Sequence, residues 1–200
     1  MTFLYGTNME LLYSLPAIGS TQTGSAATLL NSAATSPMIQ LPALQNIWSS
    51  SQLPGKGFLI VAAGGYDIAA ANTLTTMRVS FDTTAGVTAL NTIATTGALA
   101  GGCFGAAVAT GSWEAQLWIT CAGISGNTGS TWYSQGQLQF NSVSSTGTGV
   151  SFAWGNTITA GIPQSISLGL TNPYYVDLVA QWQANPTAMV CSQFMVFGLN

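Results

Sequence analysis

The chain reads as an all-β protein, an antiparallel jelly-roll-like β-sandwich with an extended N-terminal segment, and three observations carry that reading. Short apolar runs alternate with polar residues at a period of two. Clusters of Gly, Ser, Thr and Asn punctuate them at short intervals. Only two cationic and five acidic residues occur among 200, while 48% of the chain is apolar. A sustained 3.6-residue period is absent.

Taken in order, residues 3–13 form a first strand. Residues 14–37 are small and polar, and read either as an extended arm or as a loop joining that strand to the body. Residues 38–44 are a second extended run, and Pro42 opens a single turn or short helix over 42–50. Residues 57–63 are apolar on both faces. Met77, Val79 and Phe81 alternate with Arg78, Ser80 and Asp82, which is a half-buried strand. Residues 101–109 follow after a Gly/Ala-rich stretch. Trp113, Ala115, Leu117, Ile119 and Cys121 then fall on one face, opposite Glu114, Gln116, Trp118 and Thr120. Further strands are expected at 134–142, 149–154, 164–170, 174–182 and 188–198. Turn clusters separate them at Gly64-Gly65 and at 82–86, 123–129, 144–149 and 155–156. Two units result, residues 1–50 as an N-terminal strand and arm available for docking or an interface, and residues 51–200 as the sandwich.

Two hundred residues bury about 70% of the surface that the unfolded chain exposes, so a real core is available. The scarcity of charge is therefore a statement about the surface. Soluble domains carry roughly a quarter charged residues, and a chain with 4% has little to hold other surfaces away. It is expected to associate. Two cations in all exclude direct duplex binding through phosphates and leave no polybasic patch for a membrane. The apolar stretches at 57–71 and 95–111 are broken by Gly64, Gly65 and Asp67 or diluted by Gly and Ala, so neither reads as a membrane span.

No histidine is present, which removes Ser-His-Asp and Cys-His mechanisms. Asp82, Glu114 and Asp177 lie on predicted strands and are the residues from which a glycosidase pair would be drawn. Each occupies the polar phase of its alternation, so each is expected on a solvent face or in a local hydrogen bond. Asp67 and Asp82 stand alone without a D-x-D run, so no metal site is expected. The segment Gly97–Gly105 lacks the P-loop Lys, and no cofactor is implied. With no imidazole, stability is expected to be nearly flat between about pH 5.5 and 7.5. Cys103, Cys121 and Cys191 occur in apolar contexts and read as buried free thiols, with one disulfide and a single free thiol as the alternative. The opening MTFLYGTNMELL has no basic region and carries Glu10, so no export signal is expected.

Two groups of residues remain as contact candidates. Trp132 and Tyr133 flank a Gly/Ser-rich loop, and Trp118 and Trp182 fall on strand faces, so a sugar ring has aromatic platforms to stack on, with Asn and Gln as hydrogen-bonding partners. In the last strand Met189, Cys191, Met195 and Phe197 fall on one side and Val190, Phe194 and Val196 on the other. One side packs the core and the other needs a cover, for which a symmetric interface is the simplest solution. Val190, Phe194, Val196, Met195 and Phe197 are thus the candidates for a trimer or docking interface.

The closing segments Tyr174-Tyr-Val-Asp-Leu-Val-Ala-Gln-Trp182 and Ala188-Met-Val-Cys-Ser-Gln-Phe-Met-Val-Phe-Gly-Leu-Asn200 resemble the final hairpin of jelly-roll proteins on the virions of tailed bacteriophages, particularly those of actinobacteria. More loosely, residues 57–140 share the charge-poor, Gly/Thr-rich texture of such proteins. The resemblance implies a non-enzymatic virion component: a capsid decoration protein, head fibre or minor tail protein, usually trimeric. It implies folding in the bacterial host cytoplasm and docking on the major capsid protein or another virion protein. A minor tail or fibre-tip protein that binds a host glycan is the alternative. The family supplies no catalytic residue and no cofactor.

Overall fold

The structure is a computed structural model, and it describes residues 9–15, 18–32, 40–49, 52–68, 74–87, 91–96, 109–125, 129–142, 150–155, 158–159, 162–163, 165–182 and 188–200. Strands over the described residues are β1 (Met9–Ser14), β2 (Thr28–Leu29), β3 (Gln40–Leu41), β4 (Gly57–Ile68), β5 (Leu74–Asp82), β6 (Thr92–Thr95) and β7 (Ala109–Ser125). They continue with β8 (Gly129–Ser142), β9 (Val150–Gly155), β10 (Ile158–Thr159), β11 (Ile162–Pro163), β12 (Ile166–Gly169), β13 (Tyr174–Trp182) and β14 (Ala188–Leu199). One helical turn, α1 (Leu44–Ile47), sits where Pro42 announces it. The protein is all-β, and its described strand pairings are antiparallel. The strand expected at 101–109 lies almost entirely outside the described residues, as do Cys103 and the start of the strand expected at 3–13.

Twelve strands form one curled sheet in the order β1-β14-β4-β7-β8-β9-β6-β5-β13-β2, with β12 added to β8 and β3 to β13. Its backbone is the β4–β7–β8 ladder. β4 and β7 pair without a register shift from Gly57 opposite Thr120 to Ile68 opposite Ala109. The three strongest alternations act as expected: Met77, Val79 and Phe81, Trp113 to Cys121, and Tyr174 to Trp182 all turn their apolar phase into a single core. Fully burying one such large side chain contributes roughly 1.5–3 kcal/mol. Gly55, at φ +86°, makes the left-handed turn that feeds β4.

The described residues between 9 and 49 contribute to that core. Tyr13, Leu30, Leu41, Leu44 and Trp48 belong to the same cluster as the side chains of β4, β7 and β13. Trp48 packs its ring 5.0 Å from that of Phe58 and donates its indole N–H to Asn200 Oδ1 at 2.6 Å. The segment from 18 to 32 joins the two ends of the strand order. Gly19 N donates to the Cys191 carbonyl of β14, and Leu30 N donates to the Leu178 carbonyl of β13, both at 2.8 Å. Asn31, buried, donates to the Val176 carbonyl at 2.6 Å and accepts from Leu178 N at 2.9 Å. The described part of the expected arm is thus woven into the body.

Two expectations about the closing strands are corrected. β13 and β14 do not form a hairpin with each other: β13 pairs with β5, β2 and β3, and β14 with β4 and β1. The second correction concerns which residues of β14 face inward. A bulge between Cys191 and Gln193 inserts one residue, so the inward phase changes from Met189 and Cys191 to Phe194 and Val196. Phe194 and Val196 are fully buried in the core, whereas Val190, Met195 and Phe197 are half-buried and turn outward.

Candidate functional site: the outer face of the β4–β7–β8 sheet

Cross-strand register fixes which side chains share the outer face, because directly opposed residues of an antiparallel pair point the same way. One row runs Leu11, Phe197, Leu59, Trp118, Gln135 across β1, β14, β4, β7 and β8. The next runs Ser14, Met195, Val61, Gln116, Gln137 across the same strands. Neither carries a charge. The β1–β14–β4 part is apolar, with Met9 and Leu11 exposed at its edge and Leu59, Val61, Met195 and Phe197 half-buried beside them.

Towards β8 the same face becomes an amide field. A groove of about 420 Å³ is lined by Glu114, Gln116 and Trp118 from β7 and by Gln135, Gln137 and Gln139 from β8. Three direct cross-strand pairs build it: Glu114 with Gln139, Gln116 with Gln137, and Trp118 with Gln135. Gly136 keeps the two strands in register on the opposite face, where a Cβ would come within 2.1 Å of the Gln116 carbonyl oxygen. Gln137 Nε2 donates to Ser151 Oγ at 2.6 Å, and Gln139 Nε2 to Asn141 Oδ1 at 2.8 Å, so these amides are held on the face. Trp118 is 41% exposed, and Tyr133, two residues from Gln135 on the same face, is 42% exposed.

The aromatic candidates therefore separate. Tyr133 stands on the outer face, but Trp132 has no exposed surface at all; it stacks on Phe58 at 5.6 Å and donates to Ser130 Oγ at 2.7 Å. Successive residues of a strand face opposite ways, so Trp132 and Tyr133 do not form one platform. Of the two indoles, only that of Trp118 is exposed on this face; Trp132, expected as a glycan contact, is in the core. Singling out the dipeptide missed Gln116, Gln135, Gln137 and Gln139, although the Gln-x-Gln-x-Gln spacing at 135–139 carried the signal. Trp182 is buried in the core.

The three carboxylates do not form one constellation. Glu114 is exposed in the groove, whereas Asp82 and Asp177 are buried on the distant β5–β13 part of the sheet. Their polar phase faces outward, as the alternation implies, but Gly86 and Asn91 reach over them to hydrogen-bond the two carboxylates. Burial pushes the Asp177 carboxyl up to about 6; a hydrogen bond from Gly86 N opposes the shift and the neighbouring Asp82 adds to it. A carboxyl in this range places a pH response mainly below the window in which stability is expected to be flat, reaching only its acidic edge. Cys121 and Cys191 are free and buried as expected, and burial pushes the Cys191 thiol up to about 12.

Fold and face together define an all-β protein with a charge-poor outer face, apolar at one end and rich in amides and aromatics at the other, with Glu114 in its groove. No family model, no curated protein and no solved structure matches the chain.

Proposed function

We propose that the chain is a non-enzymatic structural protein of a tailed-bacteriophage virion, a homotrimer that decorates the capsid and stabilises the head surface through the major capsid protein or another virion protein. The assembly rests on one observation, the charge-free apolar rows of the outer face that contain Leu11, Leu59, Val61, Met195 and Phe197. Apolar surface of this kind on a chain with seven charges favours association over separate solvation. A jelly-roll-like sandwich is the finer fold we assign. Its support is the nested pairing of β4 with β14, β5 with β13, β6 with β9 and β7 with β8, the pattern of a long antiparallel ribbon wound on itself. The virion role rests on the likeness of residues 174–182 and 188–200 to the closing strands of such proteins.

Light scattering on the size-excluded chain at low and high salt tests the assembly. A trimer that resists salt is expected, since few ion pairs are available to be screened. A monomer under both conditions removes the reading. Co-sedimentation of the trimer with undecorated heads then tests the capsid role, and failure to co-sediment moves the protein off the head.

A second reading, a minor tail or fibre-tip protein that binds a host glycan, is favoured by the groove beside Trp118. A pyranose face stacks on an exposed indole, and neutral amides supply paired donors and acceptors for its hydroxyls. Binding of host-wall glycans that Trp118→Ala abolishes supports this reading, and unchanged binding ends it.

A further inference from the structure

On the outer face of β5 and β13, Asp82 lies directly opposite Tyr175, Ser80 opposite Asp177, and Arg78 opposite Val179. Gly86 and Asn91, which follow β5, reach over this face. Gly86 N donates to Asp177 Oδ2 at 3.0 Å. Asn91 N and Nδ2 donate to Asp82 Oδ1 at 2.9 and 3.4 Å. Asp82 and Ser80 are then 1% and 0% exposed, and Asp177 is 0% exposed.

Each carboxylate gives one oxygen to the connection and leaves the other bare. Asp82 Oδ2, Asp177 Oδ1 and the hydroxyl of Ser80 are all buried without a hydrogen-bond partner. Arg78, the one cation on this face, does not meet them: its Nη2 donates to the Val87 carbonyl, and its Nε has no partner. Two buried carboxylates on one face, diagonal to each other in the β5–β13 register and beside an unpartnered hydroxyl, are costly unless a positive group joins them.

We propose that these three groups form a site for a hard divalent cation, calcium, held by Asp82 Oδ2, Asp177 Oδ1 and Ser80 Oγ. The donor set is all oxygen and carries two negative charges, which selects a hard cation over one that prefers nitrogen or sulfur. Water and main-chain carbonyls complete the six to eight ligands that calcium takes. The cation links β5 to β13 where Gly86 and Asn91 contact them, giving the free oxygens a partner that no described side chain offers. Sequence spacing concealed the site, because its two carboxylates lie 95 positions apart and only the β5–β13 register brings them together.

The test uses the full chain stripped with a chelator. Millimolar calcium at neutral pH should raise Tm by several degrees, reversibly, by binding the folded state. Terbium should bind with emission sensitised by Tyr175, the direct partner of Asp82. Asp177→Asn keeps an acceptor for Gly86 N and should fold while losing both responses; Asp82→Asn is the second variant. No calcium response in the wild-type chain, or a response unchanged in both variants, overturns the site. A Tm that rises on acidification with no response to calcium or terbium means that a proton takes the place of the cation, and also overturns it.

Discussion

Gln22 and Met189 exchange both main-chain hydrogen bonds, at 2.8 and 2.9 Å, and the Gln22 side chain continues past that bridge to donate to the Ala180 carbonyl at 3.1 Å. One residue thereby ties β14 to β13, the strands near opposite ends of the sheet order. The same amide donates to the Ala26 carbonyl at 2.8 Å, which holds the return of the chain towards β2.

Gln22→Ala should therefore destabilise the fold by about 1–3 kcal/mol, because it leaves buried carbonyls without their donor. Denaturant unfolding measures the loss, and amide exchange should show faster opening in the second half of β13. A change within the error of the measurement would mean that the β14–β13 seam is held elsewhere.

Asp177 makes stability depend on pH. Its folded pKa of about 6 lies above the ordinary 3.8, so between those values the folded chain holds more protons than the unfolded one. Stability then falls as pH rises through that interval and levels off above it. Unfolding free energies measured in chelator across the interval should show this slope, and Asp177→Asn should reduce it. An equal slope in the variant would assign it to another group.

The tryptophans on opposite faces of β7 and β8 should respond in opposite ways. Trp132→Ala removes a fully buried ring stacked on Phe58 and should cost about 3–5 kcal/mol. Trp118→Ala removes a ring that is 41% exposed and should cost much less stability, with its effect appearing in ligand binding. Thermal melts of both variants decide the matter, and similar losses would contradict the assigned faces.

Along β14 the bulge predicts a matching contrast. Phe194→Ala opens a cavity beside Tyr13, whose ring lies 6.0 Å away, and should lower stability by about 3–5 kcal/mol at any protein concentration. Phe197→Ser acts on the outer row and should lower the association state more than the melting temperature of the separated chain. Sedimentation across a dilution series distinguishes the two.

Neither Cys121 nor Cys191 should react with iodoacetamide in the native protein at neutral pH, because burial raises both thiols and suppresses the thiolate. Mass mapping after alkylation checks this, and labelling at either position without denaturant would show that the core opens.

The sequence by itself determined the strands and their inward phases wherever alternation ran unbroken, as over Trp113–Cys121, because side-chain direction in a strand depends only on parity. It also determined the class of surface, since seven charges cannot cover 200 residues. Pairing was left to the tertiary structure. Residues 174–182 and 188–200 read in sequence as a hairpin, yet each strand finds its partner in the β4–β5 region, which local sequence does not encode. The bulge at Ser192 re-aimed Phe194 and Val196 into the core, a one-residue change that parity cannot reveal. Asp177 stands in the polar phase as the alternation implies. Only the folding of Gly86 and Asn91 over β5 and β13 decided that it would be buried, because burial depends on which segments cover a face and not on the residue's own strand.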